Sequence, residues 1–539
     1  MLIKSGKPDP AMTKTSFIWD ASAIAAGLGE IERSRDVLLC HLKHLLDEYH
    51  GVERSVEYYN LVAGDWLEGV SQNIYAARQE VSIGSALVEL TPIPVISSSK
   101  HARRLTTEAD WHQHLRGTVS CLLQGGGCER WAVTPGTTRV ENAGRHDVSR
   151  KLIRGIATAK PKVLLTQPHF KYSRLEWIGA LWRWRGWIAR DDMQHPISFV
   201  SVVDWGWRKR KAAEILLPPR DFAELAMALM PLYIPVALLE GFERYRDAAL
   251  ALPISRPQLL YSSYALHGNL TFKLLAAEWR QEGTQLLYHQ HGGGYGLDEP
   301  QLAVESYEIK VSDRFYSWGW QRHGLPVFPL SPAMPAIKRK RGSTHILLYC
   351  LDLPKVPYRL VLIPMPGTIE NMHRNTCEFL EALPDRQRLV IRPYHTDYGW
   401  GAMDAMRCVA PEAKFNRHSD SFALFSSSSL VVHSYLGTSW LETLGMNIPT
   451  LCFYNPAVYI YREEVHPFMD AMERVGILHH SGKSAARFIA SRGHDIEGWW
   501  NRPEVQEARR NFVEHYANFS PDWKSQWERE FEALLEGAP

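Results

Sequence analysis

Leu259-Leu260-Tyr261-Ser262-Ser263, then Asn269 to Gln281, then Leu286-Leu287-Tyr288-His289-Gln290-His291-Gly292-Gly293-Gly294-Tyr295-Gly296: these consecutive segments decide the fold. The outer two are apolar runs of strand length, and the middle one has helical spacing, so they read as a β-α-β unit. Such units build parallel sheets with right-handed crossovers, and ligands bind beyond the carboxyl ends of the strands. At that end this chain carries His289, Gln290 and His291, followed by four glycines within the five residues Gly292 to Gly296. Glycine brings bare backbone close to a ligand and lets N–H groups face an anion or a sugar. The plain alternative is a tight turn whose imidazoles are satisfied structurally.

The rhythm repeats downstream. Ile346 to Tyr349 reads as a strand, Ile369 to Leu383 as a helix, and Arg388 to Ile391 as a strand running into Arg392-Pro393-Tyr394-His395-Thr396-Asp397-Tyr398-Gly399-Trp400. Leu430 to Ser434 then enters Tyr435-Leu436-Gly437, a helix from Thr438 to Gly445 and a strand from Pro449 to Phe453. A helix N-terminus offers free N–H groups and a partial positive charge, a site for phosphate. Ser434, Gly437, Thr438 and Ser439 would supply donors there, and Glu442 would accept from a ribose diol. The competing reading makes Ser439-x-x-Glu442 a capping box. Arg392, at a strand end, is a natural phosphate partner through its planar fork, with Tyr394, Asp397 and Trp400 as a rim. An Arg392–Asp397 structural pair is the alternative. Neither a P-loop nor a GxGxxG fingerprint is present.

Working outward, residues 1–15 read as a disordered tail and Ala21 to Ala76 as helix. Residues 79–160 read as short strands and turns, Lys162 to Thr166 as a buried strand, and 331–344 as a linker between a first lobe, 16–330, and a second, 345–539, that ends in helices. The block 171–211 holds six tryptophans and nine Lys/Arg against four acids. Its Trp177, Leu181, Trp184 and Ile188 fall on one helical face, a core stripe or a peripheral contact with a membrane surface. Across all 539 residues the hydrophobic share is 45%, the charged share 22% and the net charge +2, which describes an ordinary globular protein without the basic field of a nucleic-acid binder. Seven scattered cysteines lack metal-ligand spacing and read as reduced. With no signal-peptide core at the start, and an uncharged run from Leu225 to Leu239 too short to span a bilayer, the expected location is cytoplasmic, peripheral to the inner membrane at most.

The stretches YHGVERSVEYYNLVAGDWL, YHQHGGGYG, SDRFYSWGW, IRPYHTDYGW and HSYLGTSWLETLGMNIPT, in this order over about residues 48–455, resemble a family of transferases from bacterial surface-polysaccharide gene clusters. More distantly, the glycine loop and the Thr438-Ser439-x-x-Glu442 helix resemble capsule and lipopolysaccharide Kdo transferases. The resemblance implies an α/β protein with two Rossmann-like lobes in a GT-B-like arrangement, preceded by a helical extension. It also implies transfer of a sugar from a nucleotide-activated donor, CMP-linked among the options, to a surface glycan or lipid-linked acceptor.

In that reading the leaving nucleotide is neutralised by helix dipole and Arg392, with neither metal nor cofactor. His289 or His291 would act as general base, and Asp298, Glu305 or Asp313 would supply a carboxylate if the reaction proceeds by double displacement. Alternation along the strand would place His289 and His291 on one side and Gln290 on the other. Gln290, Gly292, Gly293, Gly294, Tyr295 and Gly296 would line the acceptor side. The rivals are acyl or glycerophosphate transfer in the same pathway, and a non-catalytic glycan-binding assembly factor.

Overall fold

The computed structural model describes residues 21–83, 90–105, 108–128, 131–134, 136–142, 161–168, 187–334, 339–340, 342–354, 360, 368–417, 420–492 and 495–537. The expected tail and the stripe residues Trp177, Leu181 and Trp184 lie outside them. Ile188 is in a strand, not a helix.

Two long helices lead the chain, α1 (Ala21–His50) and α2 (Val56–Ile83). Asp47 holds the turn between them by accepting from the Arg54 backbone N–H and the Tyr59 hydroxyl. Arg54 precedes α2, yet its guanidinium lies over the Tyr58 ring. Two more helices follow, α3 (Ser99–Leu105) and α4 (Ala109–Leu123), where strands and turns were expected. The stripe Trp111, Leu115, Val119 and Leu122, all buried, is what makes α4 a helix. Among the described residues of that region, β1 (Thr137–Asn142) is the one strand, pairing antiparallel with β4 (Ile197–Val202).

The first large sheet holds β2 (Val163–Thr166), β3 (Ile188–Arg190), β5 (Leu259–Ser262), β6 (Gln285–His289), β7 (Arg314–Ser317) and β8 (Val327–Pro329). Its order is β3-β2-β5-β6-β7-β8 and every pairing is parallel. Among its helices are α5 (Trp205–Ala213), α6 (Phe222–Tyr233), α7 (Phe242–Leu250), α8 (Leu270–Gln281) and α9 (Leu302–Val311). The buried Lys273 of α8 pairs with Asp65 of α2, so the helical extension is fixed to this lobe.

The second sheet is built the same way from β9 (His345–Tyr349), β10 (Leu389–Arg392), β11 (Lys414–Phe415), β12 (Ser428–His433), β13 (Thr450–Phe453) and β14 (Leu478–His479). Its order, β11-β10-β9-β12-β13-β14, is again wholly parallel. Helices α10 (Ile369–Ala382), α11 (Ala402–Val409), α12 (Ser421–Ser426), α13 (Thr438–Gly445), α14 (His466–Arg474), α15 (Gly482–Arg492), α16 (Ile496–Trp500) and α17 (Pro503–Tyr516) belong to this part of the chain. Two Rossmann-like α/β lobes, each on a parallel six-stranded sheet, with a helical extension, are therefore what the chain forms.

The last helix, α18 (Trp523–Glu536), does not stay with the second lobe. Its Trp523, Trp527 and Phe531 pack on Val163, Leu165, Tyr261, Leu287 and Tyr316 of the first sheet, and Glu530 accepts from Arg314 and Tyr316. Residues 331–334 of the expected linker are buried beneath it, where Ser331 Oγ accepts from the Ser520 N–H and its carbonyl from Trp527 Nε1. Among the described residues, no helix is long and apolar enough to cross a membrane.

Candidate functional site

The carboxyl edge of the first sheet is where the glycine loop begins. Strand β6 ends at His289, so alternation does not carry on to His291 and the two imidazoles part. His289 is 1% exposed, receives the Tyr261 hydroxyl at 2.7 Å and packs between Tyr316 and Trp527. Burial pushes its pKa down to about 3, which makes it a neutral core residue and a poor base. Gln290 is buried too: its carbonyl oxygen accepts from the Trp318 N–H and from Trp320 Nε1, and its amide donates to the Gly292 carbonyl. It braces the Trp318–Trp320 turn.

His291 stays partly exposed, against Tyr264, His267 and Tyr295. The buried Tyr295 hydroxyl lies 3.2 Å from His291 Nδ1 and 2.9 Å from Glu308 Oε1. Gly294 and Gly296 have φ of +93° and +72°, the left-handed region that favours glycine.

The three carboxylates fare differently. Asp313 precedes β7 at the amino edge of the sheet, where it pairs with Arg280 and accepts from the Leu286 N–H. It is far from the chemistry expected of it because parallel strands send their ligand edge the other way. Glu305, fully buried, accepts from the Gly296 N–H and pairs with Arg462 of the second lobe at 2.7 Å, a structural clamp. Asp298 remains. It is 8% exposed, its side chain has no hydrogen bond among the described residues, and burial pushes its pKa up to about 8. A buried carboxyl group with a raised pKa, facing the charge of Arg462 beside the junction of the lobes, fits general acid–base work.

In the second lobe α13 begins at Thr438 with Gly437 as its N-cap, and no side chain caps it. Ser439 therefore sits inside the helix, which rules out the capping box. The hydroxyls turn inward: Ser439 lies against Tyr435 and His433, Ser434 donates weakly to the Tyr349 carbonyl, and Glu442 is buried in the helix. What the helix end offers is backbone N–H. The Arg392 guanidinium stacks 5.0 Å over Tyr349, and its buried Nε has no hydrogen-bond partner among the described residues. Asp397 accepts from the Gly399 N–H and forms no described ion pair with Arg392. Tyr394 and Asp397 line an open hollow beside Asp352 and His373, beyond the ends of β9 and β10.

These two edges touch. The Gly293 N–H donates to Thr438 Oγ1 at 2.8 Å, and a side chain at Gly293 would strike the Gly437–Thr438 backbone. Beside this contact Asp298 bridges antiparallel to Tyr461, the Glu299 N–H donates to the Ile460 carbonyl and the Arg462 N–H to the Leu297 carbonyl. The stacked pair Tyr459 and Tyr461, the latter with burial-raised hydroxyl, thus flanks Asp298 from the other lobe. Sequence reasoning passed over these tyrosines, Arg462, His267 and the role of Glu308. The dense aromatic run from Tyr454 to Tyr461, just after a strand, was the available signal.

A profile of the LIC12162 family transferase matches residues 12–531. The chain belongs to that family. This LIC12162 family chain matches no curated protein in sequence. Among solved structures, a mutant O-GlcNAc transferase of Thermobaculum terrenum is 12% identical, with 98% of this chain and 99% of that one covered and a TM-score of 0.34. The spinosyn rhamnosyltransferase SpnG, complexed with spinosyn aglycone, is 12% identical over 70% of this chain and 100% of its own, with a TM-score of 0.33. Membership of the LIC12162 family makes the protein a transferase.

Proposed function

We propose that this transferase moves a sugar from a nucleotide-activated donor to a glycan or lipid-linked acceptor of a bacterial cell surface, working in the cytoplasm or at the inner membrane. The observation that carries the reading is the meeting of the two carboxyl edges: an uncapped helix N-terminus in one lobe, hydrogen-bonded to a glycine loop in the other, with Asp298 beside the junction. Helix N–H groups and Arg392 would neutralise the leaving nucleotide phosphate without a metal at that phosphate. Asp298 is the group we assign to proton transfer, with Gly292, Gly293 and Gly294 admitting the acceptor.

The test is a thermal-shift screen of the whole protein with CMP, CDP, UDP and GDP, since a ligand that binds the native state raises stability by mass action. Selective stabilisation by one nucleotide supports the reading and names the donor class, CMP included. No response to any of them would leave the glycan-binding assembly role or acyl transfer as the better account.

A further inference from the structure

Beneath the glycine loop the structure holds a cluster that the transfer reading does not use. His267 lies in the turn before α8, His291 just after β6, and Glu308 on α9. Three separate segments thus deliver two imidazoles and a carboxylate whose ligating atoms all lie within 4.8 Å of one another. His267 Nε2 is 2.6 Å from Glu308 Oε1, and the two imidazole centroids are 5.0 Å apart. We propose that His267, His291 and Glu308 form a binding site for a divalent transition cation, of which zinc is the natural probe.

The chemistry of the donors selects the ion. Two imidazoles with one carboxylate suit zinc and its first-row neighbours; calcium and magnesium prefer oxygen donors alone. Zinc bonds of about 2.0–2.2 Å would need only small rotations of side chains already gathered at these distances. Three protein ligands leave a fourth position for water or a substrate oxygen, the pattern of sites that do chemistry.

The surroundings resemble those of metal ligands as well. The Tyr295 hydroxyl spans Glu308 and His291 at 2.9 and 3.2 Å, so it can orient both. Glu308 is fully buried, whereas His291 is partly exposed beside the exposed Tyr264, which gives an ion its way in. The cluster sits at the carboxyl ends of β5 and β6, on the ligand edge of the first sheet. A bound cation here would be distinct from the donor phosphate site of the second lobe, and it revises the metal-free expectation without depending on the transfer reading.

The experiment uses the whole protein stripped with a chelator, then titrated with Zn²⁺ alone by calorimetry, with metal content counted after gel filtration. Wild type should retain one zinc more than His291→Ala, and the variant should bind at that site roughly 10–100-fold more weakly or not at all. His291 is partly exposed, so its loss should leave the melt intact; Glu308→Gln is the companion variant. Tyr295→Phe should weaken zinc by about 10-fold without abolishing it. A wild type that takes up no zinc overturns the proposal, as does equal stoichiometry and affinity in wild type and His291→Ala.

Discussion

In the first lobe β6 ends at His289, and in the second β12 ends at His433. Both imidazoles are buried, and burial pushes both pKa values down to about 3. Beyond that point the edges diverge. After His289 the polar side chains are taken up by partners within the protein: Gln290 by two tryptophan donors, Tyr295 by Glu308, Glu305 by Arg462 of the other lobe. After His433 the side chains also turn inward, but the backbone of α13 and the Nε of Arg392 are left unspent. The difference teaches that one edge is a shaped wall and the other a set of unclaimed donors, with Asp298 the acidic group left over between them.

The sharpest break of that comparison is Asp298→Asn. Turnover, assayed with the donor picked out by the nucleotide screen, should fall roughly 10²–10⁴-fold, the worth of a general acid–base. The same variant has a signature that needs no substrate. Because the folded-state pKa of Asp298 lies near 8, above the ordinary value of 3.8, its contribution to stability is full below pH 3.8 and is lost as pH rises toward 8. Asn should flatten that decline in the melting temperature. His289 and His433 act with opposite sign, their contribution being full above pH 6.5 and lost as pH falls toward 3. A pH–melting profile unchanged by Asp298→Asn would return Asp298 to the wall.

Next in size is Glu305→Ala. As half of a buried clamp, its removal should cost about 3–5 kcal/mol by chemical denaturation, because the buried Arg462 loses its paired carboxylate. Stability near that of wild type, with turnover gone, would instead restore Glu305 as a catalytic group.

How far these roles are legible in the sequence alone depends on the kind of signal. Strand and helix periods are local, so both parallel sheets and the start of α13 at Thr438 were legible, as was the ligand edge. Asp313 was legible in principle, since a residue just before β7 must lie at the amino edge. Glu305 and Glu308 were not: they sit three apart on α9, and only the tertiary fold sends one to Arg462 and the other to His267. The spent state of Gln290 depends on Trp318 and Trp320, 28 and 30 positions away, which no periodicity reveals.

A smaller effect sharpens the other half of the comparison. Arg392→Ala should weaken the selected nucleotide by about 1.5–3 kcal/mol in calorimetry, the range for a hydrogen bond to a charged group. Arg392→Lys should recover only part of it, because a point charge cannot copy the planar fork. Full recovery by Lys would argue against direct contact with the phosphate.

The smallest expected change is in Thr438→Val, which removes the acceptor of the Gly293 N–H across the lobes. A loss of about 0.5–1.5 kcal/mol in unfolding free energy is expected, with nucleotide affinity held. A loss of nucleotide affinity equal to that of Arg392→Ala would mean that the Thr438 hydroxyl belongs to the ligand and not to the junction.

The return of α18 to the first sheet has a bearing on how the protein is made. Glu530 meets Arg314 across 216 positions of chain, and the tryptophans beside it cover one face of a sheet whose strands are all synthesised earlier. Domains commonly fold from the N-terminal side while the rest is still being translated. Here that order is broken: Tyr261, Leu287 and Tyr316 must wait, with their face uncovered, until the whole second lobe has left the ribosome. The two lobes are therefore finished together, and the nascent first lobe is the stage at which a chaperone would have most to hold.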